Sequence, residues 1–384
     1  MIQRTITAEL EKAGRQFPVV TIVGPRQSGK TTLARSYFHD YDYVNLEDPE
    51  VRNYAQEDAR GFLADHRPPV IFDEIQRVPQ LLSYIQVQSD ASQRMGQYVL
   101  TGSHQPRLQA EVSQSLAGRT GILKLLPLSL AELSASGNKL NRDECIYRGF
   151  LPKLHAMPEA VPELEYGNYF ATYVERDVRQ LVNLHHQHEF EIFVRLLASR
   201  VGQLLNLASL SDDVGVSVPT LTEWMNVLEA SYIIYRLPPY FENFGKRLVK
   251  TPKIYFTDVG LAAWLIGIKS AEMAGRDPLI GNLFENMVVM EALKTRLNAG
   301  NAPDLYFFRD QRGFEIDLLL NDNHKLHPFE IKSGRTFVSD WTKNLRHFAE
   351  RDERIQPGTV IYAGDLKRTG LVNFTDTAKA ILHA

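Results

Sequence analysis

Residues 24–31 constrain what this chain can fold into more than any other segment. They read Gly-Pro-Arg-Gln-Ser-Gly-Lys-Thr, match the pattern GxxxxGK(S/T) in full, and follow the apolar run of residues 19–23, where a strand is expected. The two glycines let the backbone wrap with its amides pointing inward, and the dipole of the following helix favours a polyphosphate anion. A bare glycine turn is the alternative interpretation. The pattern predicts a phosphate-binding loop, called the phosphate loop below.

The side chains of this loop have separate expected roles. Lys30 is expected to reach the β- and γ-phosphates of ATP. Thr31 is expected to offer a hydroxyl to Mg²⁺, a hard ion that prefers oxygen ligands, and Thr32 is a neighbouring contact. The predicted cofactor-binding residues are Gly24, Pro25, Arg26, Gln27, Ser28, Gly29, Lys30, Thr31, Thr32 and Asp73.

Two carboxylates follow a second apolar run. Residues 70–72 are Val-Ile-Phe, and Asp73 and Glu74 come directly after them, at the spacing from the loop that is typical of a Walker B motif. At the carboxyl end of a parallel strand, Asp73 is expected to hold Mg²⁺ through water, and Glu74 to polarise the attacking water as a base. Alternatively, Glu74 is a solvated residue that opens the next helix. Hydrolysis, as opposed to binding alone, depends on Glu74.

Two further segments offer candidates for catalysis. Thr101 and Ser103 end the strand-like run that begins at Tyr98, and either hydroxyl is a candidate sensor of the γ-phosphate; a plain strand-to-turn segment is the alternative. Arg119 is a candidate arginine finger, which would stabilise the developing phosphate charge from a neighbouring subunit. An ordinary surface arginine is the alternative. A finger acting in this way predicts a homo-oligomer.

The pattern of apolar residues divides the chain into three regions. Strands are predicted at residues 17–23, 43–46, 69–72, 97–100 and 121–125, alternating with helices. Helices are predicted at residues 163–184 and 190–205, then a helix at 282–296 and strands at 304–308, 314–320 and 328–331. We therefore predict a P-loop parallel α/β sheet in residues 1–135, a helical domain in 136–278 and a second α/β domain in 279–384.

Bulk properties agree with a multidomain protein and exclude some classes. A length of 384 residues is typical of two or three domains. The 43 basic and 46 acidic residues give a net charge of −3, so any contact with nucleic acid must be local. One cysteine, Cys145, cannot form an internal disulfide. No secretory leader and no unbroken apolar run of about 18 to 20 residues is seen. We expect a cytoplasmic protein without a membrane segment.

The middle region contains the pattern of a helix-turn-helix. Residues 209–217 predict a short helix and a turn at Gly215, and residues 220–232 predict a second helix, with strand-like runs at 235–240 and 253–256 that can form a wing. Glu223 on the second helix is acidic, whereas a helix that reads DNA usually carries several basic residues. A basic group near the wing could bind phosphates and comprises Lys246, Arg247, Lys250 and Lys253. Protein packing and DNA binding both remain open.

Several charged residues of the C-terminal region fall on one face of two predicted strands. Because side chains alternate along a strand, Asp317, Glu330 and Lys332 gather on one face, and Glu285 lies on the preceding helix. This set matches the D, E-x-K pattern of PD-(D/E)xK nucleases, in which carboxylates hold Mg²⁺ and the lysine positions or activates water. Ile316 replaces the usual proline. Metal-dependent cleavage, an inactive fold kept for binding, and mere surface charge are the three interpretations.

Several of these segments together resemble a family of prokaryotic AAA-type ATPases fused to a C-terminal domain of unknown function. The resemblance covers nearly the whole chain and lies in residues 24–31, 70–76, 100–103, 115–119, 237–240, 246–261 and 329–334. It implies an AAA-type ATPase core, a winged-helix-like middle and a restriction-endonuclease-like C-terminal fold of the PD-(D/E)xK type.

The sequence therefore predicts a Mg²⁺-dependent ATPase whose nucleotide state moves a winged-helix and nuclease-like module, with DNA as a candidate partner. Two other functions fit the same residues. One is a nucleotide-gated regulatory or defence assembly with slow turnover. The other is a metal-dependent nuclease with an ATPase sensor.

Overall fold

The computed structural model describes residues 2–103, 115–173, 187–241 and 251–384, and the statements below concern these residues. Five parallel strands form the N-terminal sheet in the order β2-β3-β4-β1-β5. They are β1 (Val19–Gly24), β2 (Asp42–Asn45), β3 (Val70–Asp73), β4 (Tyr98–Ser103) and β5 (Thr120–Lys124). The five predicted strands and their parallel α/β arrangement are thus confirmed.

One helix precedes β1, and further helices connect β1 to β2, β2 to β3 and β3 to β4, as a parallel sheet requires. They are α1 (Thr7–Gln16), α2 (Lys30–Tyr37), α3 (Pro49–Glu57), α4 (Ala59–Asp65) and α5 (Leu81–Ser92), with a 3₁₀ turn at Ile75–Arg77. Every residue of β1, β3 and β4 is buried, because helices cover both faces of the sheet. The carboxyl ends of β1, β3 and β4 therefore lie side by side at one edge.

The middle region is mainly helical. Its helices are α6 (Leu130–Ala135), α7 (Arg142–Arg148), α8 (Pro152–Ala156), α9 (Pro162–Tyr169), α10 (Gln187–Ser199), α11 (Leu207–Val214), α12 (Val218–Ala230), α13 (Val259–Leu265) and α14 (Ala271–Arg276). Two strands, β6 (Ile234–Leu237) and β7 (Lys253–Phe256), pair antiparallel. Residues 174–184 of the predicted helix at 163–184 lie outside the described residues.

Helix α10 is shorter than the predicted helix at residues 190–205, since it ends at Ser199. Gly202 takes a left-handed conformation with φ 71°, and its backbone N–H bonds to the carbonyl of Ile254 at 2.7 Å. A glycine in this conformation interrupts the helix at little steric cost, and the chain then runs beside β7.

The C-terminal region joins a long helix to a mixed sheet. Helix α15 (Ile280–Asn298) is buried over most of its length, including polar residues such as Glu291 and Lys294, and it packs against β7 and β10. The sheet order is β12-β11-β10-β9-β8. The remaining elements are β8 (Leu305–Arg309), β9 (Glu315–Asp322), β10 (Lys325–Lys332), α16 (Lys343–Ala349), β11 (Thr359–Tyr362), β12 (Leu371–Asn373) and α17 (Thr377–Leu382), with 3₁₀ turns at Ser339–Thr342 and Phe374–Asp376.

Among the described residues, no helix is both long enough and apolar enough to cross a membrane.

Candidate nucleotide site and C-terminal carboxylate cluster

The phosphate loop joins the end of β1 to the start of α2, and two of its glycines are required by geometry. A Cβ on Gly24 would lie 2.1 Å from the carbonyl oxygen of Leu125. Gly29 is the residue before α2 and has φ 91°, a left-handed conformation that side chains disfavour. The loop therefore turns tightly into the helix N-terminus, where unpaired amides and the helix dipole attract anions.

Lys30 lies inside this loop. Its Nζ donates to the carbonyls of Gly24 at 3.1 Å and Pro25 at 2.7 Å, and the Ser28 hydroxyl also donates to Pro25, at 3.0 Å. Only 5% of Lys30 is exposed, and this burial lowers its pKa to about 8, although Glu74 and Asp73 favour the charged form. Its two bonded partners are neutral carbonyls, so its charge remains available for a phosphate.

Asp73, at the end of β3, accepts hydrogen bonds from three hydroxyls. Thr31 Oγ1 lies 3.1 and 3.0 Å from its two carboxylate oxygens, Tyr43 donates at 2.8 Å, and Thr101 Oγ1 also donates to it. The structure thus brings together Thr31, Asp73 and Thr101. Their hydroxyl and carboxylate oxygens are the donors that Mg²⁺ prefers. Tyr43, on β2, was missed from the sequence.

Glu74 follows β3 directly and has φ 59°, which turns the chain into the 3₁₀ turn. Ser103 Oγ lies 3.3 Å from Glu74 Oε2, and Gln76 Nε2 donates to Ser103 Oγ at 2.9 Å and also contacts Glu74. Since β4 lies between β1 and β3, Thr101 and Ser103 lie between the two nucleotide motifs, as predicted. Gln76 is a second neighbour of the site that the motifs did not indicate.

A cleft of about 880 Å³ opens over the phosphate loop and Glu74, within the size range of small-molecule sites. Its walls come from the phosphate loop, the segment before α1, helix α2 and the middle region. Its lining includes Arg4, Arg26, Gln27, Lys30, Thr31, Glu47 and Glu74. Thr32 and Gly29 also line it, and Pro152, Lys153 and Tyr173 close it from the middle region.

Arg119 lies away from this cleft. Its backbone carbonyl accepts from the amide of Val19, at the opposite end of β1 from the phosphate loop. Its guanidinium pairs with Asp90 on α5, at 2.5 Å from Nε and 3.0 Å from Nη2. The residue therefore does not reach the nucleotide site of its own chain, and its role as a finger for a neighbour stays a prediction.

Four acidic residues and two lysines of β7, α15, β9 and β10 form a second charged group, the carboxylate cluster. Its members are Lys253, Glu285, Glu315, Asp317, Glu330 and Lys332. Lys253 lies 2.8 Å from Glu285 and 2.5 Å from Glu315, and Lys332 lies 2.6 Å from Glu330 and 3.3 Å from Asp317. The amide of Ile331 also donates to Asp317 at 2.8 Å. Each carboxylate thus has a lysine partner.

Burial governs the protonation of this cluster. It raises the pKa of Glu330 to about 7, with Asp317 adding to the rise and Lys332 opposing it. Burial alone would lower the pKa of Lys253, yet Glu285, Asp317 and Glu315 raise it above its ordinary value. Within the described parts of the chain, no three Asp, Glu, His or Cys side chains are arranged to hold a metal ion. The predicted metal ligands are therefore neighbours without forming a ready cage.

The expectation that Lys253 belongs to a basic phosphate-binding group is wrong. Lys253 is 3% exposed and its ammonium is engaged by Glu285 and Glu315. The other members, Lys246, Arg247 and Lys250, lie outside the described residues. Helices α11 and α12 do follow one another through Gly215, and Glu223 is exposed on the second.

The fold and the nucleotide site together define a P-loop ATPase domain of the AAA type. Residues 16–134 match the model of an AAA domain. Residues 140–272 match a domain of unknown function, DUF8612, and residues 280–374 match another, DUF4143.

Relatives share most of the chain. An uncharacterized protein of Mycobacterium tuberculosis (strain ATCC 25618 / H37Rv) is 30% identical over 373 residues, which are 94% of this chain and 80% of that protein. This chain belongs to the same family as that protein. An uncharacterized protein of Haemophilus influenzae is 28% identical over 314 residues, 72% of this chain and 74% of its own length. A solved Walker-type ATPase of Pyrococcus abyssi is similar with a TM-score of 0.44 and 14% identity, over 69% of this chain and 96% of that one.

Proposed function

We propose that this protein binds ATP with Mg²⁺ in the cleft above the phosphate loop and hydrolyses it, and that the nucleotide state is passed to the C-terminal region. The observation that carries the proposal is the pairing of Thr31 with Asp73 beside the buried Lys30. Lys30 bonds only to carbonyls and Asp73 only to hydroxyls, so neither charge has a bonded partner of opposite charge. The negative phosphates would balance the lysine, and the metal ion would balance the carboxylate.

Each residue of the site has a separate role. Lys30 exchanges its two carbonyl partners for phosphate oxygens, and amides of the phosphate loop hold the remaining phosphate charge. Thr31 and Asp73 would hold Mg²⁺, whose positive charge would offset the negative charge that develops on the phosphate. Glu74 takes up the proton of the attacking water, and Ser103, which contacts it, orients that water towards the γ-phosphate.

Phosphate release from ATP with Mg²⁺ tests this proposal. Wild-type protein should release phosphate, and a chelator of Mg²⁺ should stop it. Asp73→Asn should lower turnover by about 100-fold, because the neutral amide cannot replace a carboxylate beside the metal. Asp40→Asn is the matched control, since the Asp40 side chain is 85% exposed and should be silent. Equal turnover in Asp73→Asn and wild type would remove the proposed metal site.

For the remainder of the chain we propose a winged-helix-like region within residues 136–278 and a nuclease-like fold within residues 279–384 that is kept for binding and does not cleave DNA. Asp317 on β9, Glu330 and Lys332 on β10, and Glu285 on α15 support the nuclease-like topology. The pairing of Lys253, which is not part of the D, E-x-K pattern, with Glu285 supports the absence of cleavage, because it neutralises charge that a metal would need. Plasmid DNA incubated with Mg²⁺ or Mn²⁺ should stay intact; nicking that Asp317→Ala abolishes would establish a nuclease.

A further inference from the structure

Arg4, just before α1, connects three distant parts of the ATPase domain. It is 8% exposed. Its Nη1 donates to the carbonyl of Ser28 in the phosphate loop at 2.7 Å, and Nη2 donates to the carbonyl of Leu126 beyond β5 at 2.6 Å. Its Nε donates to Glu132 Oε1 at 3.1 Å. The planar guanidinium therefore fixes the positions of all three acceptors.

Glu132 is itself held in place. It is 2% exposed and belongs to the capping box of α6, in which its carboxylate accepts from the amide of Ser129 at 2.9 Å. The amide of Thr5 donates to the same carboxylate at 2.7 Å. Because this acceptor has buried, fixed donors, Arg4 has one available position.

The contact with Ser28 acts on the peptide that enters α2. In a trans peptide the C=O and the next N–H point in opposite directions. Arg4 holds the carbonyl of Ser28 on its own side, so the N–H of Gly29 points away from it. Gly29 has φ 91°, a conformation in which glycine is permissive and the peptide could rotate. An anion-binding loop presents its N–H groups to the anion, and a Ser28 carbonyl held by Arg4 leaves the N–H of Gly29 able to do so.

The start of α6 is held from its other side by the C-terminal region. Glu291 on α15 accepts from the amides of Leu130 at 2.7 Å and Ala131 at 3.2 Å. Lys294, one turn further along, donates to the carbonyl of Leu128 at 2.8 Å. The amides of the first two residues of the helix that carries Glu132 thus have their acceptor on α15.

We propose that Arg4 is a positioning residue that sets the Ser28 to Gly29 peptide for phosphate binding, and that Glu132 and Glu291 hold Arg4 in this position. The integrity of the nucleotide site then depends on the docking of α15, which also carries Glu285 of the carboxylate cluster. This inference rests on the nucleotide site proposed above. It adds a set of hydrogen bonds, through Arg4, Glu132 and Glu291, that connects this site to the C-terminal region.

Calorimetric binding of tripolyphosphate and of ATP, each with Mg²⁺, tests the role of Arg4. Arg4→Met should weaken the binding of each ligand by about 30-fold, as loss of a buried charged donor does. The factor should be the same for both ligands, because the loop binds the phosphates that they share. Arg4→Lys should restore part of the affinity. Arg15→Met on α1 is the matched control, since the Arg15 side chain is 78% exposed. The affinity of this variant for both ligands should stay at the wild-type value. Circular dichroism establishes that each variant is folded.

The possible outcomes separate this inference from the proposed function. Wild-type protein that binds neither ligand would overturn the nucleotide site and, with it, the role of Arg4. Wild-type protein that binds both, with Arg4→Met binding equally well, would overturn only the role of Arg4. A loss confined to ATP, with tripolyphosphate unchanged, would also overturn it, because Arg4 would then contact the nucleoside.

Double variants test whether Glu132 and Glu291 act through Arg4. In the wild-type background, Glu132→Gln should weaken the binding of tripolyphosphate by about fivefold and Glu291→Gln by about threefold. In the Arg4→Met background, neither substitution should weaken it further. A merely structural role would give additive losses instead. In turnover assays the single variants should raise KM for ATP more than they lower kcat. Additive losses, or an unchanged affinity in Glu291→Gln, would break the proposed link to α15.

Discussion

The nucleotide site and the carboxylate cluster each place lysines and carboxylates near strand ends, yet their charges are balanced differently. At the nucleotide site Lys30 bonds to two carbonyls and Asp73 to three hydroxyls, all of them neutral. In the carboxylate cluster Lys253 bonds to two carboxylates and Lys332 to two others. The first arrangement lies under an open cleft, whereas the second joins β7, α15, β9 and β10.

This difference indicates what each group can do. Charges that have only neutral partners are stabilised further when a ligand of opposite charge arrives. Charges that already have an opposite partner gain little from a ligand and mainly hold elements together, although removal of one partner is costly. We therefore expect substitutions at the nucleotide site to change chemistry and affinity, and substitutions in the cluster to change stability.

The largest expected effect is on turnover. Glu74→Gln should lower ATP turnover by about 1000-fold, because the amide cannot accept the proton of the attacking water, while nucleotide affinity should stay within about threefold of wild type. Steady-state phosphate release and calorimetry measure the two quantities. Glu47→Gln is the matched control on the wall of the same cleft, where Glu47 pairs with Arg77. Retained turnover in Glu74→Gln would remove it as the base.

The cluster should respond in stability. Lys253→Met should lower the free energy of unfolding by about 3 kcal/mol, because Glu285 and Glu315 lose their buried partner. Nucleotide affinity should be unchanged. Urea unfolding measures the first quantity, and Lys325→Met, at an exposed position on β10, should stay within about 0.5 kcal/mol of wild type. A large loss of affinity with full stability in Lys253→Met would contradict the distinction between the two groups.

Removing the loop lysine should affect binding and leave the fold intact. Lys30→Ala should weaken binding of ATP with Mg²⁺ by about 100-fold or more, since the phosphates lose a buried charge-assisted donor. Its unfolding midpoint should not fall, because in the free protein burial disfavours the Lys30 charge. Lys12→Ala, on the exposed face of α1, is the control. Identical titrations of Lys30→Ala and wild type would refute the nucleotide site.

Local patterns in the sequence predicted the parts of the nucleotide site that are close in the chain. The phosphate loop needs only neighbouring residues, and Asp73 and Glu74 follow an apolar strand, so motif and spacing indicated both. Tyr43 contacts Asp73 only because β2 lies beside β3. Gln76 contacts Glu74 only because a 3₁₀ turn follows β3. Strand order is a tertiary property that no local pattern encodes.

Buried charges were the hardest features to predict. Lys253 follows several basic residues in the sequence, a pattern that indicates a basic phosphate-binding group, but its partners Glu285 and Glu315 come from α15 and β9. Arg4 gave no local signal, since its acceptors lie at Ser28, Leu126 and Glu132. A polar residue with distant partners has the same sequence pattern as an exposed one.

The smallest expected effect concerns pH and compares the two groups once more. Burial lowers the pKa of Lys30 to about 8 in the free protein, and a bound triphosphate favours the charged form. Affinity for ATP with Mg²⁺ should therefore be nearly full at pH 7 and below, and fall by about tenfold between pH 7 and pH 9, since binding must then add a proton to Lys30. Calorimetry at pH 8 in buffers of different ionisation enthalpy should show uptake of about half a proton.

Lys30→Ala should lose this dependence, whereas Glu330→Gln should keep it, although burial raises the pKa of Glu330 to about 7. That carboxyl instead affects stability: its raised pKa stabilises the folded state below the ordinary pKa of a glutamate, and the contribution is lost as the pH rises through about 7. Unfolding of wild type and Glu330→Gln at pH 5 and pH 8 measures it. If proton uptake on binding followed Glu330 and not Lys30, the carboxylate cluster would be part of the nucleotide response, and the separation of a ligand-ready site from an internally balanced one would fail.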